Sequence, residues 1–517
     1  MELARSCGIL AHLTSLPSPF GIGDLGPGAR RFVDFLAAAG QTVWQMLPVT
    51  PAGAAYDYSP YMSDSAFAGN QLLLSPEDLA AAGWLSATDL GALGASPYLV
   101  EFERVAAHKA ALARKAFAGW QSLGPDPEFA AFCAAEAHWL DDYALFAVLK
   151  AAHQGESWCR WPRPLARRHR KALAAAARRL ATEIDRVRFG QYCFQRQWQA
   201  LRAYAADQGV RLIGDLPIYV GHDSAEVWAN QDFFLLDRET GLPTEVSGVP
   251  PDYFSRTGQR WGTPLYRWHD DQGRPSSALW AWWARRFAHL LRLFDVVRVD
   301  HFRGFESYWS IPAAEETAVA GRWLPGPGQP FFRYLAAQLG DLPIIAEDLG
   351  LITPEVEALR DALGLPGMKV LQFAFDAGAE NAYLPHNFRT SNCVVYTGTH
   401  DNDTTVGWYF DPGVPAASKA RALRYAHSQV GSPVHWDFLR LAYSSVAALA
   451  VLPLQDVLGF GSDCRMNTPS VPKGNWRWRC APWLLTAELA AALRDEAEFY
   501  GRLAPLAAAP ADEKPAA

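Results

Sequence analysis

The sequence predicts an α/β chain folded as a (β/α)8 TIM barrel with large, mainly helical and loop insertions between strands, and three observations predict it. Eight short apolar runs rich in Val, Ile and Leu, at 9–13, 43–48, 210–215, 296–300, 344–347, 369–375, 393–397 and 447–452, end in polar residues, Gly or Pro, as parallel strands buried on both faces do. Amphipathic stretches of helical period lie between several of them, at 29–39, 354–363 and 417–427, and strands that alternate with helices close most simply into a parallel barrel whose chemistry sits on the loops after the strand C-termini. The third observation is length: the chain has 517 residues, whereas a minimal barrel needs only about 250.

The excess is expected as insertions. The first, about 70–209, is rich in Ala, Arg and aromatics and reads as helical, with 191–206 its clearest amphipathic piece. The second, about 221–285, reads as loop-rich, contains Gly248-Val249-Pro250-Pro251, and lies near the expected barrel mouth. No flexible Gly/Ser or Pro-rich linker isolates either, so 1–517 is expected to form a single catalytic barrel domain. The Ala/Pro-rich end, 506–517, is expected to be a disordered tail.

Composition removes several classes of function. Half the residues are apolar and 20% are charged, with 47 Lys and Arg against 54 Asp and Glu for a formal charge of −7. That describes a soluble globular chain with no nucleic-acid partner expected. The one basic run, 163–180, has no interleaved aromatics and reads as a solvated Ala/Arg helix. The longest apolar stretch, 446–454, falls short of the roughly 20 residues that span a bilayer, so no membrane contact is expected. Glu2 and Arg5 precede only a brief apolar segment, which is no secretory signal, and a cytoplasmic location is expected. Seven cysteines show neither Cys-x-x-Cys nor zinc spacing, and phosphate-loop and serine-elbow motifs are absent. The aromatic content stands out, at 20 Trp, 18 Tyr and 27 Phe, and suits either a core or a groove that stacks on flat ligands.

Among 54 acidic residues, position singles out candidates. Four apolar runs end in a carboxylate or pass into one: RLIGDLP at Asp215, DVVRVDHFRGF at Asp300, PIIAEDLG at Glu347 and Asp348, and VVYTGTHDND at Asp401 and Asp403. In a parallel barrel these ends share one mouth. Glycosidic bond chemistry needs such convergence, since a retaining enzyme uses one carboxylate as nucleophile and one carboxylic acid as proton donor. Arg298, two residues before Asp300 and on the same face of a period-2 strand, is expected to hold the Asp300 pKa down. Close negative neighbours are expected to keep the acid protonated.

These residues carry a resemblance. R-V-D-H-F-R-G-F at 298–305, A-E-D-L-G at 346–350 and T-H-D-N-D-T at 399–404 resemble signature blocks of the amylomaltase (4-α-glucanotransferase, disproportionating enzyme) family of the α-amylase-like clan. S-P-Y at 59–61, S-A-F-A-G-N at 65–70, G-D-L-P-I-Y-V at 214–220, G-V-P-P-D-Y-F-S at 248–255 and R-M-N-T-P at 465–469 match too, so the resemblance covers essentially the whole chain. It implies Asp300 as nucleophile, Glu347 as general acid/base and Asp401 as the carboxylate that holds sugar hydroxyls. It implies sugar contacts for Ser59, Tyr61, Asp215, Arg298, His400 and Asn467, with Tyr61 stacked beneath the ring. No metal and no organic cofactor are implied. Asp57-Tyr58 before Ser59, Asp64, and Thr263 after Trp261-Gly262 depart from the family pattern, which bears on chain-length preference.

A covalent glycosyl intermediate can be taken by water or by a sugar hydroxyl, and aromatic loops favour the sugar by excluding water and stacking on ring C–H faces. Tyr253, Phe254 and Trp261, with Trp476 and Trp478, are candidates for that role. The resulting expectation is transfer of α-1,4-glucan segments from a maltodextrin donor to glucose or maltodextrin acceptors, with α-glucan hydrolysis on the same carboxylates as the alternative. The chain is expected to act as a monomer or weak homo-oligomer.

Overall fold

The computed structural model describes residues 3–251, 255–270 and 272–503. Twelve strands run along the described chain: β1 Ser6–Leu10, β2 Val43–Gln45, β3 Arg211–Leu216, β4 Glu245–Val249, β5 Gln259–Pro264, β6 Val296–Val299, β7 Ser307–Pro312, β8 Arg322–Pro325, β9 Ile344–Ala346, β10 Gly367–Val370, β11 Cys393–Tyr396 and β12 Leu449–Pro453. Eight form one parallel sheet in the order β10-β11-β12-β1-β2-β3-β6-β9. This is a TIM barrel closed almost completely. Between β9 and β10 a ladder is replaced by two bonds: Ala346 N–H to the Pro366 carbonyl at 2.9 Å, and Met368 N–H to the Asp348 carboxylate at 2.7 Å. Arg360 pairs with that carboxylate, so Asp348 closes the barrel wall.

The strands form where they do because both faces are covered. Every residue of β6 (VVRV), β11 (CVVY) and β12 (LAVLP) is buried, and such strands read as continuous apolar runs. Gly214 in β3 serves close packing: a Cβ there would sit 2.3 Å from the Phe294 ring. The helix Pro27–Ala38 opens on a proline, whose fixed φ suits the first turn, and buries Phe32, Val33 and Leu36.

Some strand ends shift. The run at 9–13 ends as strand at Leu10 and turns into a short 3-10 helix, Leu13–Ser15. The run at 369–375 leaves β10 at Val370 for a similar turn, Leu371–Phe373, whose neighbours Ala374 and Phe375 are fully buried. Apolar character continues past both strands because the turns themselves lie in the core.

The segment 70–209 carries the helices Phe102–Ser122, Pro127–Ala152 and Ala181–Asp207, the last two packed together. The basic run gives two helices, Arg163–Ala166 and Arg170–Arg179, with Arg170, Lys171, Arg178 and Arg179 exposed. The segment 221–285 is not all loop: it supplies β4 and β5, and these join β7 and β8 in an antiparallel sheet ordered β5-β4-β7-β8. A short strand such as EVSGV, with Gly and Ser in it, gains order by pairing with β7, which lies beyond β6 in sequence. Among the described residues no helix is long and apolar enough to cross a membrane. The tail expected at 506–517 lies outside the described residues.

Candidate active site

Adjacent strand ends bring the first group together. Asp215 on β3 and Arg298 on β6 are register partners, both nearly fully buried. Arg298 Nη1 donates to Asp215 Oδ2 at 2.6 Å, and its Nη2 lies 3.0 Å from Asp300 Oδ1. One guanidinium therefore serves two carboxylates. The next strand places Glu347 beside them, because Val299 pairs with Ala346 and the residues that follow leave the barrel at the same level. Glu347 accepts two backbone bonds, from His301 N–H to Oε2 at 2.7 Å and from Leu349 N–H to Oε1 at 2.9 Å. His301 reaches that position in a left-handed conformation, φ 51°, which is unusual for a residue with a Cβ.

Crowding sets the protonation. Burial is the largest influence on Asp300, Asp215, Glu347 and Asp401 add to it, Arg298 opposes it, and the carboxyl is pushed up to about 8. The expectation that Arg298 holds Asp300 below the usual carboxylate range is thus corrected: the guanidinium makes the contact but is shared with Asp215. Glu347 also titrates above the ordinary range, through burial and Asp348, against the pull of Arg298 and the two N–H donors. Arg298 itself loses from burial, yet Asp215 and Asp300 outweigh that loss and hold it firmly protonated.

The second group sits on the loop after β11. Asp401, with a side chain 48% exposed, accepts from Asn467 Nδ2 at 2.6 Å, and His400 Nε2 lies 3.4 Å from the same oxygen. Burial keeps the His400 imidazole below its ordinary pKa, with Asp401 opposing. Tyr61 stacks on His400 with ring centroids 5.1 Å apart and donates its hydroxyl to Asp215 Oδ2 at 2.7 Å. Tyr61 therefore joins the two groups. Ser59 accepts from the Tyr61 N–H at 3.3 Å and so shapes the turn that presents the ring. Trp476 lies 5.8 Å from Tyr61, and Trp261 meets His301 edge-on at 4.8 Å.

The structure thus gathers Asp215, Arg298, Asp300, Glu347, His400, Asp401, Asn467, Ser59, Tyr61 and Trp261 at one mouth. Tyr253 and Phe254 lie outside the described residues. Trp478 is 4% exposed and belongs to the core. Two other strand-end acids turn elsewhere: Asp348 closes the barrel, and Asp403 accepts from Ser462 Oγ and from the Thr404 N–H. Sequence reasoning missed the backbone donors His301 and Leu349, which carry no side-chain signal, and Arg465, whose Nη2 donates to the Asp401 carbonyl at 2.6 Å. Among the described residues no three His, Cys, Asp or Glu side chains group as metal ligands would. The carboxyls, guanidinium, imidazole and phenol hydroxyl gathered at the mouth can exchange protons and hydrogen-bond a polar ligand.

Comparison with known proteins agrees with this geometry. A family model described as 4-alpha-glucanotransferase matches residues 11–486. A 4-alpha-glucanotransferase of Thermus thermophilus is 51% identical over 512 residues, covering 97% of this chain and 100% of that one. One of Synechocystis sp. is 50% identical over 505 residues, covering 96% and 98%. The amylomaltase of Streptococcus agalactiae, solved in complex with acarbose, superposes with a TM-score of 0.91 at 36% identity, over 97% of this chain and 100% of that one. Spanning the barrel and every strand end of the site, these matches show that the chain belongs to the 4-alpha-glucanotransferase family.

Proposed function

We propose that this protein transfers α-1,4-glucan segments from a maltodextrin donor to glucose or maltodextrin acceptors through a covalent glucosyl intermediate on Asp300. The observation that carries the reading is the shared guanidinium of Arg298 between Asp215 and Asp300, with Glu347 at the neighbouring strand end. Asp300 attacks the anomeric carbon while Glu347 gives its proton to the departing glycosidic oxygen, which leaves with the bonding pair. The Glu347 carboxylate then takes the proton from an acceptor hydroxyl, whose oxygen displaces Asp300 from the sugar. Net configuration is retained and no water is consumed. Asp300 and Glu347 titrate as a pair, and one proton shared between them is the productive count.

Substrate positioning falls to the surrounding groups. Asp401 and His400 hold ring hydroxyls, Asp215 Oδ1, a buried oxygen with no partner, accepts another, and Tyr61 stacks beneath the sugar. Ser59 and Asn467 hold Tyr61 and Asp401 in place, and Trp261, edge-on to His301, adds an aromatic wall to the mouth. This chemistry calls on no metal and no organic cofactor. A second reading, hydrolysis at the same carboxylates, draws support from the Asp300 side chain, which keeps 30% exposure and so leaves water a path.

Maltotriose separates the two. Transfer predicts a ladder of longer and shorter oligomers at nearly constant reducing ends. A steady rise in reducing ends would sink transfer in favour of hydrolysis, and an unchanged substrate would sink both.

A further inference from the structure

Two N–H groups hold the carboxyl of Glu347, and they come from separate segments that meet at one side chain. His301, the donor to Oε2, lies two residues before Arg303, and Leu349, the donor to Oε1, lies two residues before Leu351. Arg303 Nη1 donates to the Leu351 carbonyl, and Nη2 donates to Ser307 Oγ at 3.3 Å, at the start of β7. The guanidinium lies over Trp323 on β8, 3.8 Å from the ring centroid, and Trp323 in turn meets its cross-strand partner Trp309 edge-on at 5.1 Å.

This arrangement is poor as mere stabilisation. Arg303 is only 5% exposed, its Nε is buried without a partner, and no carboxylate forms an ion pair with it among the described residues. A buried cation satisfied by one carbonyl, one hydroxyl and a ring is replaceable by an apolar side chain at little cost to the fold. What an apolar side chain lacks is the planar fork that joins the Leu351 loop to the β7–β8 hairpin.

We propose that Arg303 is a positioning residue: it clamps the His301 turn to the Leu349–Leu351 loop and thereby fixes both N–H donors on Glu347. The inference rests on Glu347 as the acid/base group of the proposed transfer. Two aimed N–H groups favour the carboxylate, so loosening either raises the pKa of the acid and spoils its aim at the glycosidic oxygen. The charged groups around Glu347 are Arg298 on β6, Asp300 just after that strand, and Asp348 beside it. His301 stays neutral, its imidazole pushed down to about 3 by burial and by Arg303. None of these residues is substituted in the variants below; Arg303→Met removes the lesser of the two influences on His301, while burial, the larger, remains.

The test compares Arg303→Lys, Arg303→Met and Trp323→Leu with the wild type, reading kcat and KM on maltotriose against pH. In parallel, the Glu347 carboxyl band is titrated by infrared difference against Glu347→Gln. Both Arg303 variants are expected to move the upper limb of the profile and the band about one pH unit upward. Their kcat is expected to fall about tenfold with KM within about twofold, and Trp323→Leu to shift both readings less, in the same direction. Arg303→Lys keeps the charge but loses the fork, so a shift in Arg303→Met alone would make the effect one of charge and overturn the clamp. Unchanged band positions in folded variants would overturn it too. Should the Arg303 variants fail to fold, the band in Trp323→Leu decides. If Glu347→Gln keeps full turnover, the acid/base reading falls, while the infrared titration still decides whether Arg303 governs this carboxyl.

Discussion

Replacing Asp300 by Asn should make the protein more stable at neutral and alkaline pH while abolishing transfer. The Asp300 carboxyl sits at about 8 in the folded chain, against about 3.9 when unfolded. A raised carboxyl binds its proton more tightly in the folded state, so its favourable contribution is complete below about pH 3.9 and is lost as pH rises through about 8. Linkage between those two values puts the loss by pH 7 at about 4 kcal/mol as an upper bound. The side chain keeps 30% exposure and its titration is tied to that of the nearby Glu347 carboxyl, so about 2 kcal/mol is the working figure. Asn cannot titrate and escapes that loss. At about 2.1 cal/mol/K per residue, a chain of 517 residues shifts its Tm by about 1 °C per kcal/mol. Paired thermal melts of wild type and Asp300→Asn across pH 4 to 8 should therefore show the variant about 2 °C higher at pH 7.5, converging on the wild type toward pH 4. A variant no more stable than wild type at pH 7.5, or a gap that does not change with pH, would mean that Arg298 neutralises Asp300 fully and that the crowding argument is wrong.

Three further outcomes follow from the same geometry. Glu347→Gln should cut transfer by about three orders of magnitude or more while leaving glucan binding intact, measured by turnover beside calorimetric titration with maltooligosaccharide. Asp401→Asn removes one of the negative charges that raise Asp300, so the upper limb of its residual pH profile should move to lower pH; an upward move would contradict the electrostatics. Gly214→Ala places a methyl against the Phe294 ring at 2.3 Å and should cost about 1–3 kcal/mol of stability by overpacking, visible in a urea melt.

The barrel was legible because parallel strands buried on both faces show as apolar runs, and VVRV followed by Asp300 is the clearest case. The antiparallel sheet was not. Its strands, EVSGV and QRWGTP among them, contain Gly, Ser and Pro and acquire order from partners on the far side of β6. At the site, side-chain identities and strand-end positions pointed to Asp215, Asp300, Glu347 and Asp401. The same signal also marked Asp348 and Asp403, and only the fold tells which acids turn into the mouth. Arg298 was placed on the right face by strand period, but its division between Asp215, 83 residues away, and Asp300 is a tertiary fact. Burial and the neighbouring carboxylates, which outweigh Arg298, reverse the expected pKa of Asp300. Backbone donors such as the His301 N–H leave no trace in sequence, because every residue except proline carries one.

Trapping the intermediate tests the central proposal most directly. In Glu347→Gln, a donor whose leaving group needs no protonation, such as a maltosyl fluoride, should still be attacked by Asp300, while the return step lacks its base. Intact-mass spectrometry should then show one added maltosyl group, with fluoride released, and peptide mapping should place it on Asp300. Rapid turnover of that donor without an adduct, or an adduct on any other residue, would contradict covalent transfer through Asp300.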